Sequence, residues 1–406
     1  DYTKRRQVVN TQQVGGLQVN GDVFELPAGA IKVALGAEWR KETTEVTPDP
    51  RSASGELWRD TDNAVDADFT VKEIFGEILV PIMADQPFAK ELSLEGAVRF
   101  SDYDTIGTTT TWKLGGQWAP SADIRFRVTR SRSVRAPNLA ELFSAGTVSN
   151  EFIIDPCNAA TVGLMPNRAA NCAALGLGAG YTDPEANAFK FVVTGGNPAV
   201  REEKSDSWTA GAVMTPSFIP GLSASVDWWK IDLAGAIGTV PVDRIVDNCV
   251  DAATIDNPFC SLIERKDNGA IGFINVSPIN IGSQQAEGID FNAIYRRPIG
   301  AFDARVNVAG TYLIENRQTV VSGDPTTLDI ARAEVDNPKW RVNVTPGLSV
   351  GAFSIDWTLR YISSSKVDVQ ASAEERSDNN VSSRLYNDVY TSFEINDDFQ
   401  LYAGIN

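Results

Sequence analysis

Runs of about ten to thirteen residues, in which side chains alternate between two faces, dominate this chain and limit what it can fold into. From Asp303 to Glu315 one face carries Ala304, Val306, Val308, Gly310, Tyr312 and Ile314, and the other carries Asp303, Arg305, Asn307, Ala309, Thr311, Leu313 and Glu315. From Phe353 to Ile362, Phe353, Ile355, Trp357, Leu359 and Tyr361 face Ser354, Asp356, Thr358 and Arg360. Ala122–Arg132, Leu92–Ser101, Gly288–Arg296 and Phe399–Ile405 obey the same rule. A period of two is the signature of a strand with one apolar and one polar face.

Two further features separate a membrane barrel from a soluble sandwich. The strands are long enough to cross a bilayer when tilted, about ten residues, yet their polar faces carry full charges at mid-strand. The connections also alternate in length. Short ones fall at Ala119-Pro120-Ser121, Pro298-Ile299-Gly300, Pro346-Gly347-Leu348 and Asn396-Asp397-Asp398, and long ones at 134–205, 237–283, 316–338 and 364–385. Short turns at one end and long loops at the other mark outer-membrane barrels. The expected fold is all-β, a transmembrane antiparallel barrel with about fifteen strands present, long extracellular loops and short periplasmic turns. Trp39, Trp112, Trp118, Trp208, Trp228, Trp229, Trp340 and Trp357 lie in or beside these strands and would form interfacial girdles. Adjacent Trp228 and Trp229 cannot both face lipid in a regular strand, so a bulge is expected there.

Composition excludes several functions. With 43% apolar residues, no stretch approaches the roughly 20 that a membrane helix needs. The formal charge of −17 argues against a nucleic-acid partner, whose phosphates recruit basic patches. Acidic residues such as Asp324, Asp329, Glu334 and Asp336 fall in a long connection, where they are either a solvated surface or a rim that holds divalent cations. Histidine is absent, which removes His-based triads, His-ligated metals and His-ligated haem. Ser131 and Ser133 have no base beside them, and no enzyme is expected. No cofactor or metal is expected either.

Cys157, Cys172, Cys249 and Cys260 form two close pairs inside long polar segments. An even number in an exported protein points to disulfides, and the absence of C-x-x-C spacing disfavours the alternative of a four-cysteine zinc site. A Cys157–Cys172 bond would stabilise its loop by about 3 kcal/mol.

Two segments carry a resemblance. The first is Thr129-Arg130-Ser131-Arg132-Ser133-Val134-Arg135-Ala136-Pro137-Asn138, continuing into Leu139-Ala140-Glu141-Leu142-Phe143. The second is Gly195-Gly196-Asn197-Pro198-Ala199-Val200-Arg201-Glu202-Glu203-Lys204-Ser205-Asp206-Ser207-Trp208, with Val200 and Glu202 where Leu and Pro are usual. Both resemble motifs of the TonB-dependent receptors. Gln285–Asp290 and the tail Leu401–Asn406 resemble two further strands of that family. Independently of any family, Pro137 ends its strand, Leu139–Phe143 can make a helical turn, and Asn138 can cap that turn. Arg130, Arg132 and Arg135 are expected to pair with loop or plug carboxylates; the alternative is contact with an anionic ligand or with lipopolysaccharide phosphates.

The resemblance implies a plug inside a barrel of about 22 strands. By that measure residues 1–406 are an incomplete barrel, with the plug, its TonB-gripped motif, early strands and the last C-terminal strand absent. It also implies a Gram-negative outer-membrane transporter driven by the proton gradient through TonB. The extracellular loops would take a scarce large solute, such as a ferric siderophore or an oligosaccharide. The competing readings are a passive porin or channel and a soluble extracellular carbohydrate-binding β-protein.

Overall fold

The computed structural model describes residues 2–57, 62–178, 180–319, 328–374 and 376–406. Asp324 lies outside these. In chain order the elements begin with β1 (Gln7–Leu26), β2 (Gly29–Thr47), α1 (Pro50–Ala53), β3 (Val65–Gln86), β4 (Ala89–Tyr103), β5 (Gly107–Ser121) and β6 (Ile124–Arg135). Then come α2 (Leu139–Phe143), β7 (Thr147–Glu151), α3 (Arg168–Ala174), β8 (Lys190–Thr194), β9 (Glu203–Met214), β10 (Leu222–Gly238) and α4 (Val242–Asp251). The remainder are β11 (Ile263–Arg265), β12 (Ile271–Asn275), β13 (Ile279–Ile299), β14 (Phe302–Thr319), β15 (Leu328–Ile330), β16 (Trp340–Val350), β17 (Phe353–Ile362), β18 (Ser365–Lys366), β19 (Asn380–Val381), β20 (Arg384–Asn396) and β21 (Phe399–Ile405).

The long strands form one 15-stranded antiparallel sheet in the order β1-β2-β3-β4-β5-β6-β9-β10-β13-β14-β16-β17-β20-β21, with β15 against β14. Among the described residues β1 and β21 end the order without pairing to each other. Each neighbour along this path succeeds the previous one in the chain once the loop strands are set aside, as in an up-and-down barrel.

Tight turns occupy 122–123, 300–301, 351–352 and 397–398. The first adjoins the triplet read as a turn, the second overlaps its triplet at Gly300 and the third lies beyond its triplet, because Pro120, Pro298 and Pro346 themselves lie within strands. Pro346 is opposite Val306 and falls in the gap of the β16–β17 register between Val344 and Gly347, where a missing N–H donor breaks nothing. The long connections leave from the opposite end of the sheet.

Register shows why alternation works as a membrane pattern. One outward row runs Trp118, Phe126, Ala212, Val226, Phe291, Gly310, Val342, Tyr361 and Leu385, whose only polar side-chain groups are the Trp118 indole N–H and the Tyr361 hydroxyl. The next row toward the loops is Gly116, Val128, Ala210, Trp228, Ile289, Tyr312 and Trp340. The row after that is Leu114, Arg130, Trp208, Lys230 and Glu287. Apolar surface thus gives way through aromatic rings to charge within two rows, as at a bilayer interface. Near the turns, Trp118 stacks on Phe126 and its indole N–H donates to Phe88 O at 2.8 Å.

Trp228 and Trp229 sit in unbroken register with both neighbours, so the expected bulge is absent there. Trp228 faces outward, while Trp229 faces the lumen and lays its ring over Gly288. The nearby irregularity is on the other side of β13, between Glu287 and Gly288. Trp229 is therefore not part of a girdle.

The lumen face is polar and paired. Arg127 on β6 grips Asp227 on β10 through two hydrogen bonds of 2.8 and 2.7 Å, passing over Gly211 on the strand between. Arg305 on β14 and Asp356 on β17 do the same across Gly347 of β16, at 3.0 and 2.5 Å. A Cβ at Gly211 or Gly347 would overlap the carboxylate it sits beneath. Gly211→Ala is expected to break its bridge and destabilise the sheet by about 1–3 kcal/mol in unfolding assays. Adding Asp227→Asn should cost little more.

Candidate functional site at the loop end of the barrel

The two sequence motifs prove to be one physical unit, because β6 pairs with β9 along Ile124–Arg135 and Glu203–Met214. The strand alternation divides their residues. Ser131, Ser133 and Arg135 face the lumen, while Arg130, Arg132 and Val134 face outward. Arg132 grips Asp206 on the next strand with bonds of 2.9 and 2.8 Å. Arg130 takes no carboxylate among the described residues; its guanidinium lies 5.8 Å from the Trp112 ring and 5.0 Å from the Trp208 ring. The expectation that all three arginines pair with acids is thus corrected at Arg130.

Arg135 forks between Glu203, at 2.8 and 2.7 Å, and Glu141, at 3.0 Å on each oxygen. Buried Pro137 ends the extended run after Ala136, and Asn138 caps α2 in a reciprocal capping box with Glu141. Glu203 also accepts Ile237 N–H at 2.7 Å. Asn197 closes the unit: its N–H donates to Glu141 O, its amide donates to Pro278 O, and its oxygen accepts Ala199 N–H across Pro198. The motif is therefore a knot that fixes where the long loops leave the barrel. Arg135→Ala is expected to cost about 2 kcal/mol, since it strands two partly shielded carboxylates. Hydrogen exchange at 136–146 should report it, and unchanged protection there would sink the knot role.

The loops themselves are folded, which the sequence did not disclose. β7, β8, β12 and β11 form a separate four-stranded sheet that draws on both long connections. Its core includes Ile153, Val192, Ile245, Val250, Phe259 and Ile274. Cys157–Cys172 and Cys249–Cys260 are disulfides with Cα separations of 5.6 and 4.6 Å, and Cys157, Cys172 and Cys249 belong to that core. Polar groups are buried with partners. Lys190 meets Asp183 at 3.2 Å, Arg265 meets Asp155 at 2.5 Å, and Arg168 holds Asp251 and Asp247 at 2.6 and 3.0 Å. Burial pushes the Asp247 carboxyl up. It also pushes the Tyr181 hydroxyl, which has no hydrogen-bond partner among the described residues, up to about 12.

A cleft of about 870 Å³ opens beside this domain. Its floor is the loop ends of β10, β13 and β14, where Gln284 and Gln318 stand on the lumen face in register with Leu233 and with each other. Its walls are the first turn of α4 and, from the stretch before β19, Val367, Asp368, Gln370 and Arg376. Among the described residues, no aromatic side chain lines it. Nor, among the described residues, is any group of three or more acidic, Cys or His side chains placed to hold a metal ion, so the acidic rim does not form a cation site there.

The family described as TonB dependent receptor-like, beta-barrel, matches residues 1–406. The chain belongs to the TonB-dependent receptors, as part of their β-barrel. Members are outer-membrane receptors and transporters of Gram-negative bacteria, not enzymes. Solved structures share the fold at low identity. A mutant of the ferric enterobactin receptor PfeA from Pseudomonas aeruginosa matches with TM-score 0.62 and 16% identity, over 98% of this chain and 48% of that one. The siderophore receptor PirA from Acinetobacter baumannii gives 0.61 and 13%, over 98% and 50%. The RagAB peptide transporter gives 0.54 and 12%, over 96% and 50%. The chain spans about half the length of these receptors.

Proposed function

We propose that this chain forms wall and mouth of an outer-membrane active transporter. Extracellular loops capture a scarce large solute, and TonB drives its import with energy from the inner-membrane proton gradient. The observation that carries this reading is the folded, doubly cross-linked loop domain rooted by the Arg135 knot beside a polar lumen. A passive pore has no need of such a structure at its mouth. The two unpaired sheet edges and the half-length coverage support a longer receptor, in which a plug and further strands complete the barrel.

Among solutes we favour a siderophore over an oligosaccharide, because among the described residues the mouth cleft has none of the aromatic rings on which sugars stack. We assign contact with lipopolysaccharide phosphates to Arg130, which stands just outside the apolar band and takes no carboxylate among the described residues. The test is growth of a deletion strain on candidate iron and sugar sources, with binding measured on the intact receptor. Uptake that persists without TonB would overturn active transport in favour of a passive channel.

A further inference from the structure

We propose that the mouth cleft is a subsite for a peptidic solute bearing a free carboxylate, and that Arg244 and Arg376 receive that carboxylate. The proposal rests on the uptake reading above and specifies the chemistry of its ligand. In a chain of net charge −17, arginines are normally claimed by acids or carbonyls. Arg244 and Arg376 are among the exceptions, with Arg130, Arg201 and Arg296: among the described residues none of these side chains makes a hydrogen bond or ion pair, and of these five only Arg244 and Arg376 line the cleft. Both line the same cleft, Arg244 from α4 and Arg376 from the segment before β19.

The other polar groups of the cleft are largely committed to holding it open. Asp368 accepts the N–H groups of Gln370 and Ala371 at 2.8 and 3.0 Å. Glu334 accepts Val369 N–H at 3.1 Å, and Asp329 accepts the Gln318 amide at 2.8 Å. Gln370 spans the gap to β15, accepting Ile330 N–H and donating to Leu328 O. Among the described residues each carboxylate keeps one oxygen free, so the lining offers two forked donors and three single acceptors. α4 adds its N-terminal end, with Val240 and Pro241 on the cleft and no side-chain cap.

This composition discriminates between ligands. A polyanion would satisfy the guanidiniums and collide electrostatically with Asp329, Glu334 and Asp368. A neutral sugar would leave both guanidiniums unused and find no ring to stack on. A peptide backbone with a terminal carboxylate supplies what each wall lacks. Its carboxylate takes the planar N–H forks and its amide or ammonium N–H groups meet the free carboxylate oxygens. Two sources share this chemistry, an iron-free oligopeptide and an iron chelate built on a peptide.

Calorimetry on the full-length receptor tests the assignment. The ligands are tetra-alanine, the ferric complex of a linear peptide of acetylated hydroxyornithine, and the C-terminal amide of each. The wild type is expected to bind one source, and amidation should weaken that binding about a hundredfold, the loss of two charge-assisted contacts. R244A and R376A should each weaken the acid about tenfold, and in R244A/R376A acid and amide should bind alike. An unchanged melting temperature for the variants excludes misfolding. Equal binding of acid and amide by the wild type, or a full amidation penalty in the double variant, overturns the assignment. Failure of both peptidic ligands overturns the ligand class, while TonB-dependent growth on another solute would leave the uptake reading standing.

Discussion

Replacing Lys190 by methionine is expected to unfold the loop domain while the barrel strands stay paired. The Lys190 side chain is fully buried, and its ammonium donates to Asp183 at 3.2 Å and to Glu185 O at 3.0 Å. Methionine keeps the bulk of the stem but removes the countercharge, leaving the Asp183 carboxylate buried with, among the described residues, only Glu185 N–H for company. Stranding one partner of a buried pair costs about 3–5 kcal/mol, more than replacing both partners by apolar groups. Hydrogen exchange should therefore rise across β7, β8 and β12 and stay low in β9 and β10. Adding Asp183→Leu should recover much of the loss. Protection unchanged in Lys190→Met would show that the pair does not hold the domain.

Removing both disulfides should have a comparable effect by a different route. The bonds close loops of 15 and 11 residues, and each restricts the unfolded ensemble. Together they are worth about 6 kcal/mol in the chain-entropy account. Because three of the four sulfurs sit in the core, serine at all four positions should also bury hydroxyl groups among Ile245, Val250 and Phe259. Proteolysis of the intact receptor should then cut within 147–194 and leave the barrel whole. A fragment pattern identical to that of the wild type would contradict this.

The barrel was legible because membrane strands are a one-dimensional code. Within the apolar band each outward residue must be apolar whatever its neighbours do, so Asp303–Leu313 could be assigned from its own sequence, whereas the bulge before Glu315 turns that residue outward, opposite Glu287, and not onto the polar face expected for it. Turn positions were less so. Pro346 looked like a break, and only the register shows it in a gap where no donor is required. Trp229 misled for a related reason: its packing partner, Gly288, lies 59 residues on, and an aromatic ring over a glycine leaves no local trace. The residues from Ser131 to Asn138 were readable as a motif, while the roles of Glu203 and Glu141 emerge only from where that motif folds. The loop domain was not visible. Val192, Ile245 and Ile274 come from segments with no common period, and they become a core only when two loops meet. Arg244 and Arg376 carry no motif either, since being unpaired is a property of surroundings.

The bridges that vault over Gly211 and Gly347 give the lumen wall a mechanical property. Hydrogen-bonded strands can slide past one another by exchanging partners, a step of two residues at a time. An arginine fork that clasps the second strand along cannot accommodate such a step, since about 7 Å of slip would separate its partners. Each bridge thus braces three strands against shear, and the glycine beneath is the clearance it needs. A wall braced in this way can keep its shape while a load is drawn through the lumen beside it.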